Sequence, residues 1–285
     1  MRHIGLASAL LIFILGSCER YEEPEDRRLD ASRQLTLRNI PYGPNGRQVL
    51  DIALPAGRNE NTPVVVFIHG GGWMAGDRSV FANEARQFAE AGLACAVINY
   101  RYASDIAHVH HPDLINDVRA AVDFIASKSK YWQVSPDRFG LMGQSAGGHL
   151  ALITAYTRND GRIRACASWS GLFDLSDPDQ LAVGGAESIF KTYVGTPLRS
   201  ADDTLRYEGA SPYWTVNRYS VPTLLIHGTE DRGVPYANAV RMRDRLYALR
   251  VPHSMVVFNG AGHTWAGKYR RQAYNETLAW FRGKL

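Results

Sequence analysis

The sequence Gly143-Gln144-Ser145-Ala146-Gly147 follows a short apolar run, 138–142, and opens a helical pattern at 146–156. A Gly-x-Ser-x-Gly motif between a strand and a helix is typical of a nucleophile elbow, a sharp turn that exposes a serine hydroxyl above a sheet. The glycines are needed because side chains at those positions would collide in so tight a turn. The motif alone arises by chance in roughly one such chain in seven, so its strand and helix neighbours carry the inference.

Outward from this motif, strands and helices alternate along the chain. Apolar or alternating runs predict eight strands, at 34–40, 49–54, 64–68, 93–98, 138–142, 163–168, 221–226 and 254–258. Helical spacing predicts helices near 81–91, 111–128, 146–156, 236–249 and 268–281. This order predicts an α/β fold over 34–285, with a mainly parallel eight-stranded sheet and helices on both faces. In such sheets the active site lies at the carboxyl ends of the strands.

The alternation stops between 171 and 220. A structureless loop of that length would be unusual, so we predict a small cap insertion over the strand ends. Its aromatic residues either line an acyl or aryl pocket or only pack the cap onto the body, and the sequence leaves both interpretations open. They are Phe173, Phe190, Tyr193, Tyr207, Tyr213 and Trp214.

A second glycine-rich motif, His69-Gly70-Gly71-Gly72-Trp73, directly follows the predicted strand 64–68. Backbone without side chains can approach a ligand closely and point N–H groups at it. We therefore predict an oxyanion hole formed by the amides of Gly71, Gly72 and Ala146. His69 itself is interpreted as a residue that fixes the turn.

Two further polar residues follow later strands. Asp231 comes after the strand 221–226, and His263 lies among glycines after the last strand. We predict that Ser145, His263 and Asp231 form a catalytic triad, whose chain order Ser, Asp, His is that of α/β-hydrolases. Glu230 is a fallback for the acid, and Asp174 is a weaker rival for the same role.

With these residues in view, the chain from about residue 40 resembles the α/β-hydrolase superfamily, in particular its esterase branch with the His-Gly-Gly-Gly-Trp turn. That branch includes carboxylesterases, acetyl- and feruloyl-esterase-like proteins and kynurenine formamidases. The matching stretches are 69–73, 99–102, 117–121, 136–138, 143–149 and the loops of Asp231 and His263. The resemblance implies a serine esterase that needs no cofactor and cleaves small-molecule esters of small or medium acyl groups through an acyl-enzyme.

Several alternatives remain at this point. The same triad serves amidases and formamidases, and a catalytically silent binding lipoprotein could use the same fold. A peptidase of the prolyl-oligopeptidase type usually carries a further large domain, for which this chain has no room. Trp73 and Trp265 flank the predicted site and are candidates for lining the substrate pocket.

One stretch departs from the family pattern. After Asn99-Tyr100-Arg101 the family often continues Leu-Ala-Pro, whereas this chain has Tyr-Ala-Ser and then a histidine cluster at 108–111. Apart from Asp113, no carboxylate or cysteine at ligand spacing completes a metal site. We therefore expect a loop at the pocket rim and no metal.

The N-terminal residues predict export. Residues 4–15 form an apolar stretch too short to span a bilayer and typical of a secretory signal. The sequence Leu15-Gly16-Ser17-Cys18 resembles the lipobox of bacterial lipoproteins. We expect a lipoprotein signal peptide at 1–17, acylation of Cys18 and a charged tether at 18–33, with the outer membrane favoured because Glu19 follows the cysteine. An ordinary signal peptide is the alternative.

Composition sets the remaining limits. The 285 residues are 45% hydrophobic and 21% charged, with a net charge of +4 and interspersed signs. This is ordinary globular composition, and a modest positive charge without a basic run does not indicate a nucleic-acid partner. Cys95 and Cys166 lie in apolar runs that predict buried strands, so we expect two unpaired buried thiols.

Overall fold

The computed structural model describes residues 28–285, and these form one eight-stranded sheet in the order β1-β2-β4-β3-β5-β6-β7-β8. The strands are β1 (Leu35–Pro41), β2 (Val49–Leu54), β3 (Val64–Ile68), β4 (Ala94–Ile98), β5 (Phe139–Gln144), β6 (Ile163–Trp169), β7 (Thr223–Gly228) and β8 (His253–Phe258). The pairs from β4 to β8 are all parallel, whereas β1 with β2 and β2 with β4 are antiparallel. The predicted mainly parallel sheet of eight strands is confirmed.

Helices cover both faces of this sheet. They are α1 (Ala82–Glu90), α2 (His111–Ser127), α3 (Ser129–Trp132), α4 (Ala146–Thr157), α5 (Pro178–Leu181), α6 (Ala186–Val194), α7 (Ala201–Gly209), α8 (Pro212–Thr215), α9 (Tyr236–Ala248) and α10 (Gly267–Lys284). Buried residues of α1 and α10 pack in one core cluster, and those of α2, α4 and α9 pack in the other. The five predicted helices agree with α1, α2, α4, α9 and α10 to within three residues at each end.

The strand β3 shows why the central runs are continuously apolar. Val64, Val66 and Ile68 face the cluster of α2, α4 and α9, whereas Val65 and Phe67 face that of α1 and α10. Successive side chains of a strand point to opposite faces. All five are buried because both faces are covered, as expected for parallel strands.

The segment 171–220, between β6 and β7, contains the four helices α5 to α8. Phe173, Phe190, Tyr193 and Tyr207 are fully or almost fully buried, and Trp214 is 43% exposed. Most of the aromatic residues in this segment therefore pack it onto the body. That outcome favours packing over the pocket-lining alternative for these four rings.

The described part of the predicted tether, 28–33, is attached to the body. The buried guanidinium of Arg58 donates to the carbonyls of Asp30 at 2.7 Å, Arg33 at 3.1 Å and Trp132 at 2.8 Å. Leu29 adds a backbone bond of 3.0 Å to the carbonyl of Tyr131. A buried arginine needs acceptors for its five N–H groups, and the backbone carbonyls of this segment provide some of them. The chain is therefore bound to the fold from Leu29 onward.

The predicted signal peptide at 1–17 and the predicted acylation site, Cys18, fall outside the described residues. Within residues 28–285, no helix combines the length and the apolar character that crossing a bilayer requires.

The two remaining cysteines are buried and free. Cys95 lies on β4 and Cys166 on β6, and β3 and β5 separate these strands in the sheet. Burial raises the pKa of the Cys166 thiol to about 12, so it stays protonated at neutral pH. The expectation of two unpaired buried thiols is confirmed.

Candidate active site

The structure brings the three predicted triad side chains into one hydrogen-bonded chain. His263 Nε2 lies 2.9 Å from Ser145 Oγ, and His263 Nδ1 lies 2.8 Å from Asp231 Oδ2. Ser145 follows β5, Asp231 follows β7 and His263 follows β8. Because these parallel strands end at the same edge of the sheet, residues 118 positions apart in the chain meet there.

Ser145 occupies a strained backbone conformation, with φ 55° and ψ −124°. Its flanking glycines have no room for a side chain: a β-carbon on Gly143 would lie 2.3 Å from the carbonyl oxygen of Gly147. A β-carbon on Gly147 would lie 2.1 Å from the carbonyl oxygen of Ile68. The elbow therefore packs directly against the end of β3, which sets the serine beside the turn that follows β3.

The carboxylate of Asp231 has hydrogen-bond donors on both oxygens. Oδ1 accepts from the amides of Gly233 at 2.9 Å and Val234 at 2.8 Å, while Oδ2 faces His263 and also His227 Nε2 at 3.3 Å. Burial alone would raise the pKa of this carboxyl, but the bonds from His227 and His263 outweigh burial and hold the pKa well below its usual range. Asp231 is therefore ionised at neutral pH.

The two alternative acids do not contact His263. Asp174 Oδ1 accepts from the amide and hydroxyl of Ser176, at 3.0 and 2.6 Å, and from Trp214 Nε1 at 3.2 Å. Its carboxylate thus stabilises a turn at the start of the segment 171–220. Glu230 is exposed to solvent. The geometry selects Asp231 as the partner of the histidine.

The turn after β3 adjoins the serine. A β-carbon on Gly70 would lie 3.2 Å from Ser145 Cβ. Gly71 and Gly72 have φ values of 114° and 58°, a region that favours glycine. Within residues 28–285, neither glycine N–H is hydrogen-bonded, and the first N–H groups of α4, beginning with Ala146, have no partner inside the helix. These amides are the predicted oxyanion donors.

His69 fixes this turn, as predicted from the sequence. Its Nδ1 lies 2.7 Å from the carbonyl of Gly70, and its ring stacks on Tyr100 at 4.4 Å. Since a carbonyl only accepts, Nδ1 carries the proton and Nε2 is free to accept. Arg47 Nη2, which only donates, lies 3.3 Å from that Nε2.

Arg47 is a residue of the site that the sequence analysis missed. Besides His69, its guanidinium donates to the carbonyls of Tyr100 at 2.9 Å and Gly76 at 3.3 Å, and it lies 3.7 Å from the centre of the Tyr102 ring. It therefore ties the hairpin between β1 and β2 to the glycine turn. No local motif marks it, because its partners come from three other parts of the chain.

The two tryptophans predicted to line the pocket are placed differently. Trp73 has no exposed surface and stacks on Tyr193 at 4.1 Å, with His149 edge-on at 5.0 Å. Trp265 packs against Phe258 at 4.9 Å, and its Nε1 donates to the carbonyl of Gly262 at 2.9 Å. The prediction for Trp73 is wrong, because Trp73 is a core residue beneath the glycine turn. Trp265 is partly exposed and supports the loop that carries His263, and its role in the pocket stays a prediction.

The segment 171–220 contacts two parts of the site. Ile189 of α6 lies 3.6 Å from the position of a β-carbon on Gly72. Gln180 of α5 donates to the carbonyl of Gly233, in the loop of Asp231, at 3.2 Å. These contacts place α6 beside the glycine turn and α5 beside the acid loop.

The histidine cluster at 108–111 packs α2 against α6. His110 Nδ1 lies 3.1 Å from the carbonyl of Thr192, and the ring of His111 lies 5.9 Å from that of Tyr193. Within residues 28–285, no group of three or more histidine, cysteine or acidic side chains is arranged to hold a metal ion. The contacts made by His110 and His111 give this cluster a packing role.

The buried histidines around the glycine turn predict acid sensitivity. Burial lowers the pKa of His69 to about 4 and that of His149, which lies 2.7 Å from the carbonyl of Ala210, to about 3, whereas a histidine in an unfolded chain titrates near 6.5. Below about pH 6.5 the unfolded state therefore binds protons that the folded state does not. Stability is full above that pH and falls towards pH 4, by about 2 kcal/mol per ring at pH 4.5.

Urea unfolding at pH 7.5 and 4.5 measures this loss. His149→Gln keeps a donor for Ala210 but cannot be protonated, so its free energy of unfolding is expected to fall by about 2 kcal/mol less over the same range. Identical pH dependence in the two proteins would contradict the assignment.

The sheet order, the strained serine and the hydrogen-bonded serine, histidine and aspartate define an α/β-hydrolase. Solved structures agree on the fold. A truncated carbohydrate esterase from gut microbiota superposes with a TM-score of 0.75 at 19% identity, covering 90% of this chain and 98% of that one. Esterase B from Lactobacillus rhamnosis superposes with a TM-score of 0.72 at 22% identity, covering 90% of this chain and 88% of its own.

Sequence comparison gives the family. The BD-FAE family model matches residues 50–246, more than two thirds of the chain, and the chain belongs to that family. It is 26% identical to isoprenylcysteine alpha-carbonyl methylesterase of Arabidopsis thaliana, over 80% of this chain and 56% of that protein. It is 28% identical to esterase LipC of Mycobacterium tuberculosis, over 81% of this chain and 60% of that protein. The chain thus spans little more than half the length of these relatives.

Proposed function

We propose that this protein is a serine hydrolase that cleaves carboxylic esters of small or medium acyl groups through a covalent acyl-enzyme. The hydrogen-bonded chain from Ser145 Oγ through His263 to the buried Asp231 carries the proposal. A serine hydroxyl is a poor nucleophile at neutral pH unless an adjacent base accepts its proton. His263 is within reach to do so, since proton transfer requires heavy atoms about 2.6–3.2 Å apart.

Each group has one role in the reaction. Ser145 Oγ attacks the ester carbonyl carbon while its proton passes to His263 Nε2. The imidazolium then protonates the departing alcohol, which leaves an ester of the acyl group on Ser145. Water, deprotonated by His263, attacks this acyl-enzyme, and the imidazolium returns the proton to Ser145 Oγ as the bond to the acyl group breaks and the acid leaves. Asp231 holds the Nδ1–H of His263 and stabilises the imidazolium in both halves.

The negative charge on the carbonyl oxygen requires donors that are already oriented. The unbonded amides of Gly71 and Gly72, with that of Ala146, supply them, and the positive end of the α4 dipole lies at the same place. Losing one such donor typically costs about 2.7–4 kcal/mol of transition-state stabilisation. Because the side chain of Ile189 lies beside Gly72, we propose that it limits the size of the acyl group.

Ester rather than amide cleavage is supported by the relatives, which are named as a methylesterase and an esterase. The test is turnover of p-nitrophenyl esters with acyl chains of two, four, eight and twelve carbons, with N-formylkynurenine as the amide control. We expect the highest kcat/KM with two or four carbons. Selective turnover of the formamide would replace this proposal with a formamidase. If the protein turns over none of these substrates and a fluorophosphonate does not label Ser145, the protein is a binding protein.

We also propose that the protein is exported and held at a bacterial membrane, with the outer membrane favoured, by lipid on Cys18. The apolar stretch 4–15 and the small residues directly before Cys18 support this. Stable anchoring needs more than one acyl chain, which the diacylglycerol and N-acyl groups of a lipoprotein provide. Cys18→Ala is expected to move the protein from the membrane fraction to the soluble fraction after cell disruption.

Cys95→Ala is the matched control for this anchoring experiment, because it removes a cysteine that is buried in the fold. We expect this variant to stay in the membrane fraction. If the Cys18→Ala protein stays there too, the lipobox interpretation is wrong.

A further inference from the structure

A second histidine, His227, contacts the carboxylate of Asp231 from the carboxyl end of β7. Its Nε2 lies 2.9 Å from the carbonyl oxygen of Val234 and 3.3 Å from Asp231 Oδ2. The side chains of His227 and Asp231 are 1% and 0% exposed. No step of the proposed reaction uses this histidine.

The contacts of the His227 ring show which of its nitrogens carries a hydrogen. Because the carbonyl of Val234 only accepts, Nε2 must carry a hydrogen. Nδ1 is buried without a hydrogen-bond partner among residues 28–285, so a hydrogen there would have no acceptor. The hydrogen on Nε2 therefore faces both the Val234 carbonyl and Asp231 Oδ2.

This shared N–H closes a ring of contacts around the carboxylate. The amide of Val234 donates to Asp231 Oδ1 at 2.8 Å, and its carbonyl accepts from His227, which also faces Oδ2. Rotation of the carboxylate would break bonds on both oxygens at once. Oδ2 is also the atom that accepts from His263 Nδ1, so His227 restricts the atom that orients the catalytic imidazole.

We propose that His227 is a positioning residue for catalysis, which holds Asp231 Oδ2 in line with His263 through its Nε2–H. The proposal rests on the triad assigned under the proposed function. The titratable groups that face His227 are Asp231 and Tyr236, which lies at the start of α9 with its ring centre 6.2 Å from that of His227. His263 faces the other side of Asp231 Oδ2. Gln180 of α5 approaches the same loop without a charge.

The pH dependence follows from the lost donor. Without His227 the carboxylate of Asp231 keeps its charge but loses a hydrogen bond that lowers its pKa. The more basic carboxylate attracts the imidazolium form of His263 more strongly, so a higher pH is needed to form the neutral base. The acid limb of kcat/KM is therefore expected to move to higher pH.

Three variants separate the hydrogen bond from the volume of the ring. His227→Gln places an amide N–H at the reach of Nε2, His227→Asn reaches only the position of Nδ1, and His227→Leu has no donor. We expect kcat to fall about tenfold or more in the Asn and Leu variants, the equivalent of one charge-assisted hydrogen bond. KM is expected to stay within about twofold, since the groups that bind substrate are untouched. The Gln variant is expected to recover most of kcat, because its amide N–H replaces that of Nε2.

The assays are p-nitrophenyl butyrate turnover between pH 5 and 9 and the rate of Ser145 labelling by a fluorophosphonate, with thermal unfolding of every variant. Labelling reports on the activated serine even if the ester proposal fails, so the two proposals can fail separately. Equal kcat, labelling rate and acid limb in wild type and folded His227→Leu would overturn the proposal. So would a Gln variant as slow as the Asn variant, or a wild-type Ser145 that is not labelled.

Discussion

Replacing Ser145 by alanine is expected to lower ester kcat by roughly 10⁴- to 10⁶-fold, because alanine has no hydroxyl to act as the nucleophile in the chain to His263 and Asp231. The fold is expected to persist, since the change removes one oxygen. The residual rate comes from direct attack of water on the bound ester, with the oxyanion amides stabilising the charge on the carbonyl oxygen. Single-turnover and steady-state assays with p-nitrophenyl butyrate measure the loss, and active-site titration of the wild type excludes a contaminating esterase.

Two further serine variants control this result. Ser170→Ala changes another buried serine with a positive φ, 45°, at the end of the neighbouring strand, and it is expected to keep kcat within about threefold. Ser145→Gly is expected to be as inactive as the alanine variant yet more stable by about 1 kcal/mol, because glycine relieves the strained φ. Retained turnover in Ser145→Ala, or equal losses in Ser145→Ala and Ser170→Ala, would contradict the assigned nucleophile.

The largest effect on stability is expected from Gly147→Ala. The added β-carbon would stand 2.1 Å from the carbonyl oxygen of Ile68 and 2.5 Å from that of His69. Neither is the end of a flexible side chain, so β3 and α4 must move apart. We expect the free energy of unfolding to fall by about 3 kcal/mol or more, measured by urea denaturation.

Catalysis is expected to suffer along with stability in Gly147→Ala, because the same contact sets the distance between Ser145 and the oxyanion turn. Gly283→Ala is the matched control, since a β-carbon at this position of α10 would have nothing within 4 Å. Its free energy of unfolding is expected to stay constant or to rise by up to about 1 kcal/mol. A Gly147→Ala protein as stable as Gly283→Ala would refute the close packing described for the elbow.

The sequence predicted the strands well because they depend on local patterns, and the three predicted triad residues are the ones that the structure places within hydrogen-bonding distance of each other. Continuous apolar runs such as Val64–Ile68 predict strands that are buried on both faces, and a serine between glycines at a strand end predicts the elbow. Ser145, Asp231 and His263 each follow a strand, which indicated that the three side chains lie at the same edge of a parallel sheet. Tertiary contacts were needed to choose Asp231 over Asp174, because both follow strands.

The prediction that failed concerns the direction of a side chain. Trp73 lies next to site residues in the sequence, but its ring points into the core. Arg47 and His227 carry no signal of their own, since their partners are distant in the chain or depend on the shape of a loop. Likewise, Arg58 binds the described part of the predicted tether through backbone carbonyls, which any residue supplies.

By itself, the sequence determined the alternation of strands and helices and the residue types available at each strand end. Periodicity and glycine placement are local properties, and they persist whatever the rest of the chain does. Only the tertiary structure decided which polar atoms meet, because a hydrogen bond between Ser145 and His263, 118 positions apart, requires the whole sheet to set a distance to within tenths of an ångström.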